Sequence, residues 1–257
     1  MDLFDLTGKQ ALVTGGAQGL GRMMAEGLLR AGASVAITSR KAEIAEAAAA
    51  EMAALGKVTA FAADLSTAEA ATELAARYSG EIGRCDILVN NAGKTWGAPI
   101  ESFPDKAWGN VMAINVQVPF TLVRDLLPLL KASGRPGDPA RIVNIGSIAS
   151  VKATGLSAYS YSASKAAILM VTRELANDLV DHNISVNAIL PGWFPTKMTS
   201  HLRTEGDFDA ETLAGIPMRR GGTPDDIAGG LIFLCSRAGA YVTGVQLPID
   251  GGIIGCG

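Results

Sequence analysis

The chain has 257 residues, 48% of them hydrophobic and 18% charged, and its formal net charge is −3. This composition supports one large core and excludes a disordered chain. Because no basic run accompanies the slightly negative charge, nucleic acid and anionic membranes are not expected partners.

The three cysteines, Cys85, Cys235 and Cys256, lie far apart in the chain. Their spacing fits neither a disulfide framework nor a metal site, which predicts a cytoplasmic protein without a bound metal. The opening stretch MDLFDLTGK carries two acidic residues and is not expected to be a signal peptide. No uninterrupted apolar run reaches the roughly 18 residues that a membrane span needs.

Short apolar runs alternate with longer helical patterns along the whole chain. Strands that are apolar almost throughout are covered on both faces, and β-helix-β alternation predicts a parallel sheet. We therefore expect an α/β fold: a single doubly wound domain over residues 1–257, with about seven parallel strands and helices on both faces. The predicted strands are 10–15, 33–39, 58–64, 85–91, 141–147, 184–190 and 245–250, and the predicted helices include 19–30, 41–55, 105–132, 157–180 and 224–236.

One long segment, at about 192–222, has no regular pattern before the next helix. Irregular segments of this length in compact domains are usually functional. It follows the carboxyl end of a predicted strand, where such sheets bind ligands. The sequence therefore predicts a substrate lid here.

A glycine-rich turn, VTGGAQGLGRM at 13–23, joins the first strand to the first helix. Glycines allow the chain to approach a pyrophosphate closely, and the helix N-terminus offers N–H groups to it. A tight turn without a ligand is the alternative, but the first βα turn is where such folds bind dinucleotides. The residues predicted to bind cofactor here are Gly15, Gln18, Gly19, Leu20 and Gly21.

The end of the second strand offers Ser39, Arg40 and Lys41 in place of an acidic residue. A guanidinium can bind a 2′-phosphate, which an acid would repel, so this stretch predicts NADP(H) as cofactor. The alternative is that Arg40 only begins a solvated helix. After the third strand, Asp64 and Leu65 are predicted to meet the adenine, unless Asp64 is simply the N-cap of the next helix.

Tyr161 and Lys165, within AYSYSASKAAIL at 158–169, stand four residues apart and share one face if the segment is helical. An ammonium beside a phenol is expected to lower the phenol's pKa, making Tyr161 a proton donor near neutral pH. Tyr159 has only Ala163 at the corresponding position. The alternative is a partly buried helix with one surface pair.

Four motifs in order and spacing make the chain resemble the short-chain dehydrogenase/reductase family over nearly its whole length. They are the glycine-rich turn, NNAG at 90–93, GS at 146–147 and Y-x3-K at 161–165, supported by PGWFPT at 191–196. Within the family the chain looks closest to 3-oxoacyl (β-ketoacyl) reductases of the rhamnolipid-synthesis type. The resemblance implies a Rossmann fold and a homotetramer. It departs at Gln18, where many NADPH-dependent members have Lys or Arg, so the NADP(H) prediction depends mainly on Arg40.

The resemblance implies a catalytic role for each of four residues. Tyr161 would protonate the substrate carbonyl, and Lys165 would hold the nicotinamide ribose and lower the pKa of Tyr161. Ser147 would position the carbonyl, although a serine at a strand end could merely cap nearby backbone. Asn115 would anchor a water that links Lys165 to solvent.

The resemblance also implies which further residues contact cofactor and substrate. Asn91, Ala92 and Gly93 would line the cofactor, although Asn and Gly also favour plain turns. Pro191, Gly192, Phe194, Thr196 and Met198 would cover the nicotinamide. A mostly apolar substrate pocket is predicted around Trp96, Ile148, Tyr159 and Trp193, with Val151, Leu156, Met198, His201, Leu202 and Phe208 nearby. Lys94, Lys197 and Arg203 could attract an anionic carrier at the mouth, although scattered surface charge explains them equally well.

The function predicted from these residues is NADP(H)-dependent reduction of a ketone to a secondary alcohol. The expected substrate is a 3-oxoacyl thioester or a related apolar β-keto compound, linked to acyl carrier protein or coenzyme A in one version of this hypothesis. One alternative is an NAD(P)-dependent alcohol, polyol or sugar dehydrogenase, distinguished by cofactor preference and pocket polarity. Another is a protein that senses NADP(H) without turnover, which could dispense with Ser147, Tyr161 and Lys165.

Overall fold

Seven parallel strands form the central sheet of the computed structural model, which describes residues 2–204 and 206–256. The strands are β1 Gln10–Val13, β2 Ser34–Ser39, β3 Val58–Ala62, β4 Ile87–Asn90, β5 Ala140–Ile145, β6 Ile184–Pro191 and β9 Gln246–Ile249, while β7 Arg203–Thr204 and β8 Asp207–Phe208 pair as a small antiparallel hairpin. The order in the sheet is β3-β2-β1-β4-β5-β6-β9. The prediction of an α/β fold with about seven parallel strands is confirmed.

Helices cover both faces of this sheet, because successive strand residues point to opposite sides. The helices are α1 Gly19–Arg30, α2 Ala42–Met52, α3 Ala68–Glu81, α4 Asp105–Met112, α5 Val118–Ser133, α6 Tyr159–Leu179, α7 Ala210–Ala214 and α8 Pro224–Cys235. Ala11 and Val13 face a core formed with α1, α2 and α8, whereas Leu12 faces a second core formed with α3, α5 and α6.

The strand order reverses between β1 and β4, which are neighbours in the sheet although β2 and β3 come between them in sequence. The loops that leave these two strands diverge to opposite sides and open a crevice at the carboxyl edge of the sheet. The glycine-rich turn follows β1, and the NNAG stretch begins at the last residue of β4. Both motifs therefore lie at this crevice.

Two predicted elements differ from the structure. Residues 105–132, predicted as one helix, are α4 and α5 joined by a π-helical turn at Ala113–Gln117. The segment 192–222 is not irregular throughout, because it contains a 3₁₀ turn at Lys197–Leu202, the β7–β8 hairpin and α7. These short elements are held by capping and tertiary contacts, which hydrophobic periodicity does not reveal.

The helical stretch from Asp105 to Ser133 is long and apolar enough, by length and composition alone, to cross a membrane. Core helices of soluble proteins meet the same criterion. Here α5 packs against α3, and α4 packs against α6. The apolar character of this stretch is explained by these contacts.

Candidate active site

A cavity of about 1510 Å³ occupies the crevice at the carboxyl edge of the sheet. It is lined by the glycine-rich turn, the ends of β2, β3, β4 and β5, the start of α6 and the segment after β6. The predicted site residues on its wall are Gly15, Gln18, Gly19, Leu20, Gly21, Ser39, Arg40, Asp64, Leu65, Asn91, Ala92, Gly93, Ser147, Ile148, Tyr161, Lys165, Pro191, Gly192, Trp193, Phe194, Thr196 and Met198.

The glycine-rich turn is tight because its backbone closes on itself. A Cβ added to Gly21 would lie 2.3 Å from the carbonyl oxygen of Gly15 and 2.5 Å from Nδ2 of Asn91, so no side chain fits there. Gly15 has a φ of +65°, in the left-handed region that favours glycine. The side chain of Asn91 donates to the carbonyl of Thr14 at 2.8 Å, which braces the turn against the loop after β4.

The N-terminus of α1 opens into this turn without a side-chain cap. Its N-cap, Gln18, accepts no hydrogen bond from the helix, whereas Thr67, Asp209 and Thr223 cap α3, α7 and α8. The first N–H groups of α1 are therefore available to a ligand, and the helix dipole favours an anion there. The turn fits the pyrophosphate of a dinucleotide.

The ribose end of the cavity carries an exposed cation and an exposed acid. Arg40 lies on the wall, and α2 begins only at Ala42 with Lys41 as its N-cap. Lys41 is not on the cavity wall, and its contact with cofactor stays a prediction. Asp64 also lines the cavity, and the N-cap of α3 is Thr67, so the alternative reading of Asp64 as a helix cap is wrong.

Tyr161 and Lys165 lie on one face of α6, as their spacing predicts. The ammonium nitrogen of Lys165 lies 5.8 Å from the ring centroid of Tyr161, and both residues line the cavity. Burial nevertheless raises the pKa of Tyr161 above its usual value, and a hydrogen bond with Ser147 opposes this shift. The expectation that Lys165 lowers the pKa of Tyr161 is wrong for the protein without ligand, because desolvation of the phenolate dominates.

Lys165 is only 5% exposed and is anchored by backbone. Its Nζ donates to the carbonyl oxygen of Ile145, the last residue of β5, at 2.6 Å. Burial lowers the pKa of this ammonium to about 8. A buried ammonium with a single neutral partner is a strong attractant for the oxygen atoms of a ligand in the cavity.

Ser147 both caps a turn and faces the cavity. Its Oγ accepts from the N–H of Ala149 at 3.1 Å, and its own N–H donates to Oγ of Ser150 at 3.2 Å. This capping box fixes the start of the 3₁₀ turn Ile148–Ser150. The backbone cap that was the alternative for Ser147 is confirmed, and its role in positioning a substrate carbonyl stays a prediction.

Asn115 lies in the π-helical turn, buried behind the cavity rather than on its wall. Its Nδ2 donates to the carbonyl of Lys94 and to Oγ of Ser164, at 2.9 and 2.8 Å, and its Oδ1 accepts from the N–H of Lys94 at 2.9 Å. Both donors are thus in use. The side chain therefore acts as a brace between three segments, and only Oδ1 retains a lone pair for the predicted water.

Two residues predicted for the substrate pocket do not line the cavity. Tyr159 is 40% exposed and packs edge-on against Phe103, with ring centroids 5.3 Å apart. Trp96 is 41% exposed and lines a separate, smaller cleft. Trp96 lies in a loop, and Tyr159 is the first residue of α6. Leu156, His201, Lys94 and Lys197 do line the cavity, whereas Val151, Leu202, Arg203 and Phe208 do not.

Sequence reasoning missed several side chains that hold the site together. Thr14 Oγ1 accepts from the N–H groups of Asn91 and Ala92, each at 2.9 Å. Thr38 Oγ1 accepts from the N–H of Gly15 at 2.9 Å. In the segment 192–222, Thr199 accepts from the N–H of Thr196 at 3.1 Å. A polar residue at the end of an apolar strand was the available signal for Thr14 and Thr38.

Within residues 2–204 and 206–256, no group of three or more His, Cys, Asp and Glu side chains could hold a metal ion. The cysteines in that part of the chain are free, with Cys85 and Cys235 buried and Cys256 exposed.

Comparison with known proteins places this site in a wider context. Residues 15–254 match the family model described as Enoyl-(Acyl carrier protein) reductase. The chain is 47% identical, over 249 residues and 97% of each protein, to the rhamnolipids biosynthesis 3-oxoacyl-[acyl-carrier-protein] reductase of Pseudomonas aeruginosa. It is 38% identical, over 98% of each protein, to the 2-dehydro-3-deoxy-D-gluconate 5-dehydrogenase of Dickeya dadantii.

Solved structures share the whole fold. The RhlG/NADP active-site complex of Pseudomonas aeruginosa matches with a TM-score of 0.93 and 46% identity, covering 98% of this chain and 99% of that one. A dehydrogenase/reductase from Sinorhizobium meliloti 1021 matches with a TM-score of 0.89 and 36% identity, covering 98% of each chain.

Proposed function

Because the chain belongs to the short-chain dehydrogenase/reductase family, we propose that it is an NADP(H)-dependent oxidoreductase that reduces the ketone of a 3-oxoacyl thioester to a secondary alcohol. One observation carries the proposal: Ser147, Tyr161 and Lys165 line the same cavity as the uncapped helix at the glycine-rich turn. The relative that is 47% identical is a 3-oxoacyl-[acyl-carrier-protein] reductase, and the solved structure that is 46% identical contains NADP.

The residues of the cavity fit this cofactor at each end. The N–H groups at the start of α1 would bind the pyrophosphate, and Arg40 would bind the 2′-phosphate through charge-assisted hydrogen bonds. Lys165 would bind the nicotinamide ribose, and Thr196 would bind the carboxamide. When bound, NADPH supplies the hydride that reduces the carbonyl carbon.

The chain's own groups would handle the carbonyl oxygen and its proton. Ser147 would donate a hydrogen bond that orients the carbonyl oxygen. The Tyr161 hydroxyl would then transfer its proton to that oxygen, leaving a phenolate. Because its pKa is raised by burial, Tyr161 stays protonated at neutral pH, as an acid must. The charged form of Lys165 would stabilise the phenolate that remains.

We also propose a cytoplasmic homotetramer that acts on small carbonyl or alcohol substrates, including thioesters of acyl carrier protein or coenzyme A. Large apolar side chains of the kind that subunit contacts bury are exposed on the α4–α6 region, namely Trp108, Phe120 and Met170. The resemblance described above supports the tetramer.

The sugar-acid dehydrogenases among the relatives define the second candidate function. The relative from Dickeya dadantii is 38% identical to this chain. The cavity wall also carries His201 and Lys197, which could contact a carboxylate and hydroxyls. A protein that only senses NADP(H) would have no need of the Ser147, Tyr161 and Lys165 set.

A carbonyl-substrate screen that follows the loss of NADPH absorbance tests the proposal. Acetoacetyl and longer 3-oxoacyl thioesters are expected to be reduced with kcat/KM at least about tenfold above keto-sugar acids and simple ketones. A higher kcat/KM for the sugar acids would replace the proposal with the second candidate.

A further inference from the structure

A small cleft lies beside the main cavity. The cleft has a volume of about 30 Å³, and Lys94 is on the wall of both spaces. Its lining includes two lysines, one asparagine and several apolar residues. Its lining residues are Lys94, Trp96, Pro104, Lys106, Ala107, Asn110 and Val111.

The backbone at this junction is fixed next to the candidate catalytic lysine. Asn115 bonds both the N–H and the carbonyl of Lys94, each at 2.9 Å. A Cβ added to the preceding residue, Gly93, would lie 3.7 Å from Nζ of Lys165. Asn115 therefore holds the backbone of Lys94, on the wall of the cleft, in place beside Gly93 and Lys165.

The charge of the cleft is suited to an anion. Among the described residues, neither the ammonium of Lys94 nor that of Lys106 forms an ion pair within 4.0 Å. The nearest acids in sequence, Glu101 and Asp105, are exposed and do not line the cleft. Lysine ammonium groups bind phosphate as point charges, and the Asn110 amide can add a hydrogen bond.

We propose that this cleft binds the phosphate of a 4′-phosphopantetheine thioester whose acyl end occupies the main cavity. The inference rests on the proposed function and adds how the substrate is recognised outside the reaction centre. Coenzyme A and acyl carrier protein both present this arm.

Two substrates that differ only in this phosphate test the proposal. Acetoacetyl-4′-phosphopantetheine is expected to have a KM about five- to tenfold below that of acetoacetyl-pantetheine, at equal kcat. The KM ratio is the KM for acetoacetyl-pantetheine divided by that for acetoacetyl-4′-phosphopantetheine. It is expected to fall by about half in Lys106→Gln and to approach one in the double variant Lys94→Gln/Lys106→Gln. The bonds from Asn115 go to the main chain of Lys94, so the substitution retains them. Lys131→Gln, an exposed change on α5, is the matched control and should keep the wild-type ratio.

The outcomes separate this inference from the proposed function. If wild type reduces both substrates with the same KM, or if the double variant keeps the wild-type ratio, the cleft does not bind the phosphate although the function stands. If neither thioester is reduced, the proposed function fails and the inference with it. Acetoacetyl-coenzyme A and acetoacetyl acyl carrier protein are tested in parallel. The substrate whose KM rises in the double variant is the one whose phosphate the cleft binds.

Raising the salt concentration should reduce the KM ratio of the wild-type protein, because salt screens the attraction between lysine and phosphate.

Discussion

At the scale of single residues, Lys165 is a charged side chain that the fold removes from water. It is 5% exposed, and its ammonium has one neutral backbone partner, the carbonyl of Ile145. Burial lowers its pKa to about 8 from a usual value near 10.5. The buried charge of Lys165 thus destabilises the protein without ligand. For the same reason, a ligand oxygen that accepts a hydrogen bond from this ammonium should bind favourably.

This burial predicts a pH-dependent stability. Below pH 8, Lys165 is charged in both the folded and the unfolded state, and the full penalty of about 3 kcal/mol applies. Between pH 8 and about 10.5, the folded protein binds fewer protons than the unfolded chain, so stability rises relative to a variant without the ammonium. Urea unfolding of the cofactor-free protein should show Lys165→Met more stable than wild type by about 3 kcal/mol at pH 7, with the advantage shrinking towards pH 10.

The matched control for this measurement is Lys131→Met, an exposed substitution on α5. Because this side chain is exposed, the substitution should change the free energy of unfolding at pH 7 by less than about 0.5 kcal/mol. A constant difference between Lys165→Met and wild type from pH 7 to pH 10 would contradict the assigned burial effect.

The sequence predicted the pairing of Tyr161 with Lys165 but not the direction of the pKa shift. Helical spacing is local, so a Tyr and a Lys four residues apart were bound to share a face of α6. Desolvation of the phenol depends on the loops after β4, β5 and β6, which converge only in the folded protein. The shift caused by burial therefore could not be predicted from the motif.

At the scale of secondary structure, the π-helical turn at Ala113–Gln117 connects the long helical stretch to the site. It directs Asn115 towards Lys94 and towards Ser164 on α6. π-Helical turns of this kind are frequent at functional sites. Asn115 therefore couples three segments whose positions determine where Lys165 and Gly93 meet.

Replacing this amide should loosen the coupling. In Asn115→Ala, the N–H and carbonyl of Lys94 lose their partner, and unfolding free energy should fall by about 2–4 kcal/mol with a clear drop in kcat. Asn177→Ala, an exposed change on α6, should alter stability by less than about 0.5 kcal/mol. Chemical unfolding and steady-state kinetics on both variants measure these effects. If Asn115→Ala is as stable as wild type, Asn115 does not brace these segments.

Regular elements could be predicted better than the segments between them. The strands of the sheet were readable because apolar runs buried on both faces have a distinctive composition. The short elements of the segment 192–222 were not, because the Thr196–Thr199 capping box and the β7–β8 hairpin involve few residues and no periodic pattern. Trp96 and Tyr159, predicted for the substrate pocket, lie outside the main cavity, because tertiary contacts such as the packing of Tyr159 on Phe103 place them.

At the scale of the whole molecule, the crevice between β1 and β4 gathers residues that are far apart in sequence into one site. Arg40 at the end of β2 and Tyr161 on α6 line the same cavity although 120 intervening positions separate them. The order of the motifs predicted this convergence, because parallel strands bring their carboxyl ends to one edge of the sheet.

Cofactor choice is a property of one end of this crevice. Arg40→Asp should lower kcat/KM for NADPH by about tenfold and shift preference towards NADH, since the acid repels a 2′-phosphate. Lys41→Asp introduces the same charge change one position along, outside the cavity, and should have a much smaller effect. Steady-state kinetics with both cofactors measure this preference. If the ratio of kcat/KM for NADPH to that for NADH is unchanged in Arg40→Asp, other groups select the cofactor.

Comparing Tyr161→Phe with Tyr159→Phe, for NADPH binding and for turnover of a 3-oxoacyl thioester, tests the central claim most directly. Tyr161→Phe should bind NADPH with near wild-type affinity while kcat falls by about 10³-fold, because the proton donor is gone. Tyr159→Phe, whose ring packs on Phe103 outside the cavity, should keep most activity. Equal losses of turnover in the two variants, or wild-type turnover in Tyr161→Phe, would contradict the account.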